Sequence, residues 1–322
     1  MNATPRIIAL LYHRIDKMDT DPWGICVSPT HFDEQVQVIK KHLPVITVDE
    51  AIQQILKGHI VENSACITFD DGYEDNYTNA LPVLKQHDCP ATFFIATAFT
   101  GSSIPFWWDE LEMICLHSKQ LPACLSVTID NIIHNFSFET ELSESNWQQH
   151  LLWKWYEDAP TLRCYSFLAI WNLLRPLPHR LIEKTMDYIR LWSGNSFQTR
   201  IPINKTQLLS LSFEEQVTIG LHTHTHLDLA SHSASVQVND IEKGRRILNS
   251  QYQINSSLLA YPYGRRNETT ISATNKMNLT GCFTTELLPI TTLSDIKQFG
   301  RYQVCDWRAQ QFEKQLMDWL SA

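Results

Sequence analysis

Short apolar runs alternate with amphipathic helical patterns in the first and last thirds of the chain. Each run has the length of a strand that is buried on both faces. The runs lie at residues 7–12, 65–69, 91–96, 217–221, 257–261 and 281–284. Strands separated by helices pair in parallel, because each connection has to cross over the sheet. The alternation therefore predicts an α/β fold with a largely parallel sheet.

Several helices are marked by residues that commonly begin or end a helix. Ser28 has the side chain of an N-cap, and Pro29 fits the first helical position of a helix that ends near His42. Gly58 is a stop signal for a helix over 48–56. Further helical patterns cover 80–86, 236–252 and 308–320.

The stretch from 105 to 202 differs from the rest of the chain. It holds seven of the ten tryptophans, three helical patterns at 107–117, 146–158 and 178–192, and a hairpin that turns at Asp130-Asn131. The pattern predicts one α/β domain over residues 1–322, interrupted by an aromatic-rich, mostly helical insertion at 105–202.

Charge and hydropathy exclude several classes of protein. The net charge of −9 leaves no basic surplus to neutralise phosphates, so we expect no nucleic-acid partner. No apolar stretch reaches the roughly 18 residues that a membrane span needs. The first apolar run is too short for a signal peptide, and the eight cysteines form no CxxC pair. We expect a reduced, cytoplasmic protein, with an unrecognised export route left open.

Two adjacent carboxylates, Asp70 and Asp71, follow a buried strand directly. Open-sheet and barrel enzymes place their chemistry at strand ends of this kind. Neighbouring residues on extended backbone point in different directions, so one carboxylate can bind a metal while the other acts as a base. The alternative is a strand-ending turn without chemistry.

Three histidines, His222, His224 and His226, follow the strand pattern at 217–221. Buried imidazoles each need a polar partner, and three in five residues are hard to satisfy in a core. Histidine is the commonest metal ligand near neutral pH, and two imidazoles with one carboxylate suit a catalytic divalent metal. A solvated turn is the alternative.

A third strand end carries Tyr261-Pro262-Tyr263-Gly264. Proline lacks an N–H and Gly264 frees the backbone, so the Tyr263 amide can point at a bound oxygen. A fixed donor of this kind stabilises the oxyanion that develops in acyl transfer. The alternative is an ordinary turn.

The three motifs together resemble the polysaccharide deacetylase family, carbohydrate esterase family four. Residues 68–72 match the family's first motif, TFDDG, in full, and residues 222–226 match the second, His-Ser/Thr-x-x-His. Pro262-Tyr263 matches part of the third, Arg-x-Pro-Tyr, although Ala260 stands in place of the arginine. The resemblance implies a distorted (β/α) barrel and a metal-dependent de-N-acetylase.

The resemblance also implies a role for each matched residue. Asp70 would be the general base, Asp71, His222 and His226 the metal ligands, and the Tyr263 amide part of the oxyanion hole. The metal would be zinc, with cobalt or nickel able to occupy the same ligands. The substrate would be an acetylated amino-sugar glycan or a lipid-linked precursor.

Besides the arginine, two family elements are missing, and other residues offer substitutes for the arginine and for one of these elements. The C-terminal Leu-x-His that carries the family's general acid is absent, as is an Asp-x-x-Asp-Trp element. Leu11-Tyr12-His13 has the former pattern at the end of the first strand, similar to the motif order of biofilm poly-N-acetylglucosamine deacetylases, so His13 would be the general acid. The alternative is a strand-end histidine that bonds to a neighbouring loop. Arg301 is the substitute for the missing arginine, unless it forms an unrelated salt bridge.

Two tryptophans at the start of the insertion, Trp107 and Trp108, are predicted to bind substrate by stacking on sugar rings, with core packing as the alternative. Arg301 is included with them among the substrate-binding residues. Two other functions remain open: an O-acetyl esterase or deformylase on the same scaffold, and a carbohydrate-binding protein that keeps the metal site without catalysis.

Overall fold

A computed structural model describes residues 4–197 and 200–321 of the chain. Within them the chain divides into two compact units. The first contains the segment up to Lys17, Ile25–Gly101 and the residues from Ile203 onward, and the second contains Met18–Gly24 and Ser102–Pro202. The predicted insertion falls within the second unit, which also takes in a short segment, Met18–Gly24, that the sequence did not indicate. That residues 1–322 act as one catalytic domain stays a prediction.

The strands follow the apolar runs, with short additions. In chain order they are β1 (Ile7–Tyr12), β2 (Arg14–Ile15), β3 (Cys26–Val27), β4 (Ser64–Phe69), β5 (Ala91–Ile95), β6 (Cys124–Ile129), β7 (Ile132–Ser137), β8 (Val217–Leu221), β9 (Leu258–Ala260), β10 (Gly281–Phe283) and β11 (Tyr302–Gln303).

The helices connect these strands and build most of the second unit. They are α1 (Pro29–His42), α2 (Val48–Leu56), α3 (Leu81–Gln86), α4 (Trp107–Glu112), α5 (Glu144–Leu152), α6 (Leu162–Leu174), α7 (His179–Ser193), α8 (Lys205–Ser212), α9 (Ala234–Tyr252), α10 (Glu268–Asn275) and α11 (Ala309–Ser321). None of the helices in residues 4–197 and 200–321 has the length and apolar character required to cross a bilayer.

The first unit is built on a sheet of seven strands in the order β10-β9-β8-β5-β4-β1-β11. All neighbouring strands in it pair in parallel. The segment before β11 links the two ends of this order, because Phe299 bridges to Phe283 of β10 and Tyr302 pairs with Leu10 of β1. The α/β class and the distorted (β/α) barrel predicted from the sequence are confirmed.

Burial and capping explain why these segments form. Every residue of β1 and β4 is buried, as expected for a parallel sheet covered on both faces. The aromatic rings of Phe69 and Phe93 stack at 4.7 Å between centroids in the core. Helix α1 begins as predicted, with the Ser28 hydroxyl as its N-cap and Pro29 at its first position. The hydrophobic core thus fixes the strand ends, and with them the positions of the polar residues that follow.

The second unit differs from its sequence prediction in two helices. The predicted hairpin is confirmed as β6 and β7, which pair antiparallel. Helix α5 ends at Leu152, because Trp153 takes up extended backbone, so residues 153–158 form a turn where a helix was predicted. Helix α6 was not predicted, since its apolar residues lie on all sides and leave no amphipathic period.

Candidate active site

The predicted motifs meet at one edge of the parallel sheet. Tyr12 pairs with Phe69, and Leu221 pairs with both Ile95 and Leu259. The strands β1, β4, β5, β8 and β9 therefore end at the same edge, with β5 and β8 running two residues beyond Phe69, and the residues that follow them leave the sheet at its carboxyl edge. The sequence-predicted residues at this edge are His13, Asp70, Asp71, His222, His226 and Tyr263.

Asp71, His222 and His226 form a buried cluster. The Asp71 Oδ1 atom lies 3.3 Å from His222 Nε2 and 3.2 Å from His226 Nε2. One ligand atom from each of the three residues lies within 4.8 Å of the others. His224 is outside the cluster, and its Nδ1 atom lies 2.9 Å from the hydroxyl of Thr97.

The donor set of this cluster fits a divalent cation. His222 Nδ1 donates a hydrogen bond to the Ala260 carbonyl oxygen at 2.9 Å, which leaves the Nε2 lone pair directed at Asp71. Among the described residues, the buried Asp71 Oδ1 has no hydrogen-bond partner of good geometry. Two imidazole nitrogens and one carboxylate oxygen are the protein ligands of many catalytic zinc sites.

The turn that carries His222 and His226 is strained and is held by helix α9. Thr223 and His226 both have positive φ, of 60° and 54°, which is uncommon for residues other than glycine. The Asp240 carboxylate accepts hydrogen bonds from the backbone N–H groups of His224 and Thr225 at 2.8 and 3.0 Å, and from the Thr225 hydroxyl at 2.8 Å.

Helix α9 packs closely against the same turn, and neither this packing nor the role of Asp240 was predicted from the sequence. A Cβ atom at Gly244 would lie 3.0 Å from the Thr223 carbonyl oxygen, so glycine lets the helix backbone approach the turn. Asp240 and Gly244 are ordinary residues of a helical pattern, and no local signal distinguishes them.

Asp70 is held by a bidentate ion pair with Arg301. The guanidinium donates to the two carboxylate oxygens at 2.7 and 2.6 Å, and it also donates to the Thr284 carbonyl oxygen and the Thr68 hydroxyl. Arg301 is fully buried. Burial by itself raises the pKa of Asp70, but the charges of Arg301 and His222 outweigh it, so the pKa lies below its usual value. The carboxylate is therefore ionised at neutral pH.

The cluster residues shift each other's protonation. Burial alone raises the pKa of Asp71, yet the two imidazoles hold it well below its usual range. The pKa of His222 is raised, because Asp70 and Asp71 outweigh its burial. Burial lowers the pKa of His226 despite the nearby Asp71 carboxylate. The site thus contains ionised carboxylates facing imidazoles of differing basicity.

His13 follows β1 and lies within the electrostatic reach of both carboxylates. Burial lowers its pKa, and Asp71 and Asp70 act in the opposite direction. Its backbone carbonyl oxygen accepts a hydrogen bond from Asn76 Nδ2 at 2.7 Å, which fixes the residue at the sheet edge. The ring nitrogen Nδ1 is buried and has no hydrogen-bond partner in the described residues.

Tyr263 lies in a turn beside the cluster. Its backbone has a φ of 59°, and its ring contacts that of His226 edge to face, with 4.5 Å between centroids. A Cβ atom at Gly264 would lie 2.1 Å from Thr285 Oγ1, so only glycine permits this turn. The structure therefore places Tyr263 next to a predicted ligand.

Trp107 and Trp108 lie in α4 of the second unit. Each is 5% exposed. Trp108 stacks on Phe106 at 4.7 Å, and Trp107 packs against Trp171 at 6.4 Å. This burial corrects the predicted stacking on sugar rings, because neither indole presents an open face, and it favours the alternative of core packing.

Two comparisons with known sequences agree on the family to which this chain is similar. The sequence profile described as "Polysaccharide deacetylase" matches residues 57–177 and 185–282. The protein named poly-beta-1,6-N-acetyl-D-glucosamine N-deacetylase from Staphylococcus epidermidis is 25% identical over 325 residues, covering 97% of this chain and 82% of that protein. His13 and Arg301 lie outside the two ranges that the profile matches.

Solved structures share the fold. The Streptococcus pyogenes deacetylase PplD in complex with acetate aligns with a TM-score of 0.58 and 18% identity, covering 99% of both chains. IcaB from Ammonifex degensii aligns with a TM-score of 0.55 and 17% identity, covering 99% of this chain and 98% of that one.

Proposed function

The chain belongs to the polysaccharide deacetylase family, and from this premise we propose that it removes N-acetyl groups from a poly-N-acetylglucosamine chain. As a deacetylase it is a hydrolase of carbon–nitrogen bonds. The named substrate of the Staphylococcus epidermidis relative, poly-beta-1,6-N-acetyl-D-glucosamine, supports the choice of glycan.

One observation carries the proposal. The buried Asp71, His222 and His226 cluster lies beside a separate carboxylate, Asp70, that is ionised and held in place by Arg301. A binding protein that kept only a metal would not need a second, oriented carboxylate. The two neighbouring acids have different partners, which fits a ligand and a base.

Asp71, His222 and His226 would hold the cation, and we propose zinc, although cobalt or nickel suits the same donors. A divalent cation at such a site supplies Lewis-acid polarisation of the amide carbonyl and lowers the pKa of water. The contribution of the chain is to keep these three donors together in a buried, fixed arrangement.

Asp70 takes the proton of the attacking water in this proposal. The two hydrogen bonds from Arg301 fix both carboxylate oxygens, so the base does not rotate away from the water. Arg301 is buried, and its guanidinium is already bonded to Asp70, so we assign it to orienting the base instead of binding substrate. It thereby takes the place of the arginine that Ala260 replaces in the third motif.

His13 and Tyr263 complete the proposed reaction. His13 protonates the leaving sugar amine, and the burial that lowers its pKa makes its imidazolium a stronger acid. The Tyr263 backbone N–H helps to hold the oxyanion. The products are acetate and a free amino sugar.

Replacing the base tests these roles. Asp70→Asn keeps the shape of the side chain but cannot accept the proton, so we expect kcat to fall by about 10²–10⁴-fold. Zinc content, measured by mass spectrometry of the purified protein, stays at the wild-type level because Asp71 and both histidines remain. Asp318→Asn, an exposed carboxylate on α11, is the matched control and keeps wild-type turnover. Near wild-type activity in Asp70→Asn would contradict the assignment.

A substrate panel separates the remaining functions. Acetate or formate release is measured from N-acetylated, O-acetylated and N-formylated glucosamine oligosaccharides and from a lipid-linked precursor, with and without a chelator. We expect chelator-sensitive acetate release from the N-acetylated β-1,6-linked chain. Release from the O-acetylated sugar alone indicates an esterase, and no release from any substrate indicates a binding protein.

The cytoplasmic location expected from the sequence remains a proposal. The eight cysteine thiols are free, as a reducing compartment requires. Cell fractionation with protease treatment of intact cells tests it, and degradation of the protein in intact cells would contradict it.

A further inference from the structure

The second unit carries four aromatic side chains, each of which contacts the next. We call Tyr156, Trp155, Trp23 and Trp171 the aromatic run. The distances between successive ring centroids are 6.1, 6.2 and 4.6 Å. Tyr156 is 71% exposed and Trp155 is 50% exposed. Two large aromatic rings therefore face solvent on top of a partly buried aromatic base, in contrast to the buried Trp107 and Trp108.

The exposed end of the aromatic run is held by an ordered turn. The backbone N–H of Trp155 donates to the Pro22 carbonyl oxygen at 2.9 Å, and the backbone N–H of Lys154 donates to Glu157 Oε2 at 3.1 Å. Trp153, which precedes them, is 3% exposed and anchors the turn in the interior. Rings that are fixed before binding lose little conformational entropy when a ligand stacks on them.

The charges beside the exposed rings are mainly negative. Glu157 and Asp158 follow the two aromatic residues directly, and both are exposed. The nearby cation of Lys154 is offset by Asp21, whose carboxylate lies 3.6 Å away. At the other end of the run, the Arg175 guanidinium covers Trp171 at 5.0 Å from the ring centroid. The exposed end thus combines aromatic faces with two carboxylates.

We propose that the aromatic run, with Glu157 and Asp158, binds a de-N-acetylated, cationic amino-sugar chain. The site rests on the proposed function, since such a chain is the product of that reaction. Ammonium groups bind indole and phenol faces through cation–π contacts and pair with carboxylates, whereas the faces of sugar rings pack on aromatic rings. An N-acetylated chain offers only the packing.

Other occupants fit the surface less well. An anionic membrane surface would be repelled by Glu157 and Asp158. The two exposed rings form a narrow patch beside full charges, whereas the core of a protein interface is depleted of charge. A cationic chain uses both the rings and the carboxylates. Retaining a product chain raises the local concentration of its remaining acetylated sugars.

Binding is tested with the 322-residue chain carrying Asp70→Asn, so that turnover during the titration is slowed by about 10²–10⁴-fold. The probes are a β-1,6-linked glucosamine hexasaccharide and its fully N-acetylated counterpart, titrated by calorimetry. Trp155→Ala with Tyr156→Ala is expected to raise the Kd of the glucosamine probe by about tenfold. Tyr188→Ala, an exposed tyrosine on α7 of the same unit, is the control and leaves the Kd within about twofold.

A second variant keeps the test independent of folding. Glu157→Gln with Asp158→Asn retains the size of both side chains, and we expect it to weaken binding of the glucosamine probe but not of the N-acetylated one. Unchanged binding of the glucosamine probe in both double variants overturns the proposal. Equal loss of both probes in the acidic variant overturns its cationic ligand class. Binding of anionic vesicles that depends on Trp155, with sugar binding unaffected, overturns it in favour of a membrane.

Failure of this site is distinguishable from failure of the proposed function. Acetate release from a short N-acetylglucosamine disaccharide by the protein with Asp70 intact tests the chemistry alone. Normal release together with unchanged glucosamine binding in the variants overturns the aromatic site only. No release from any acetylated sugar overturns the proposed function and leaves the calorimetric result to decide the site.

Discussion

The Arg301–Asp70 ion pair offers a sharp test of the site, because both groups are buried. Arg301→Met removes the guanidinium but keeps an unbranched side chain between the rings of Phe94 and Phe283, which lie 5.5 and 5.8 Å from the guanidinium carbon. Removing one partner of a buried pair typically costs about 3–5 kcal/mol, because the other charge stays desolvated. We therefore expect the free energy of unfolding to fall by about 3–5 kcal/mol at pH 7.

The pH dependence of this loss follows from the pKa of Asp70. In the wild type the folded-state pKa is lowered, so the pair contributes stability above the unfolded-state pKa of about 3.9 and loses it as the pH falls through the folded-state pKa. Without Arg301 the largest remaining influence on the pKa of Asp70 is burial, opposed by His222 and His13, so we expect the folded-state pKa to rise. The penalty in Arg301→Met is then complete above that pKa and is relieved as the pH falls. The two unfolding free energies converge towards acid pH.

Urea unfolding followed by tryptophan fluorescence, at pH 7 and at several lower values in the presence of a chelator, measures the effect. The double variant Arg301→Met with Asp70→Asn is the control, because it removes the uncompensated charge and should lose less than the sum of the two single changes. A cost below about 1 kcal/mol at pH 7 would refute the reasoning, since that is the range of exposed pairs. Strict additivity in the double variant would refute it as well.

Three further changes test the turn at 222–226, the packing between β5 and β8, and the hydrogen bonds at the start of helix α1. Asp240→Asn weakens the hold on the turn that carries His222 and His226, the proposed zinc ligands, so we expect zinc affinity, measured by chelator competition, to fall by about 10–100-fold; unchanged affinity would contradict this. Gly220→Ala places a Cβ atom 2.3 Å from the Phe94 ring, and we expect urea unfolding to show a loss of about 1–3 kcal/mol. The pKa of Asp306 is lowered, since hydrogen bonds from the Ser28 backbone N–H and hydroxyl and from His31 outweigh its burial, so its stabilisation is present at neutral pH and lost as the pH falls through its folded-state pKa. We therefore expect the difference in unfolding free energy between wild type and Asp306→Asn to become smaller as the pH falls. A difference that stays constant with pH would contradict the stabilising role of the Asp306 carboxylate.

The position of the candidate site at the carboxyl edge of the sheet was largely predictable, because local rules determine it. Asp70-Asp71 and the His222–His226 segment each follow an apolar run directly, and parallel strands bring their carboxyl ends to one edge. The sequence left two alternatives for Arg301: a substitute for the missing arginine of the third motif, or an unrelated salt bridge. It depends on how the segment before β11 joins the two ends of the sheet, where Phe299 bridges to β10 and Tyr302 pairs with β1. No local pattern encodes a contact between residues 231 positions apart.

The aromatic residues show a different limit of prediction. Trp107 and Trp108 lie in a helix and are buried, whereas Trp155 lies in a turn. The sequence of this turn has a helical pattern, so a helix was predicted there. A regular helix places its tryptophans against the core at a fixed period, but a turn that starts from a buried residue such as Trp153 directs the next side chains outward. Exposure of aromatic rings is therefore decided by where a helix ends. Under the proposed binding of a glycan to the aromatic run, changes to this turn would alter which chain is retained, while the chemistry proposed for the sheet edge, set by the strand ends of the first unit, would stay the same.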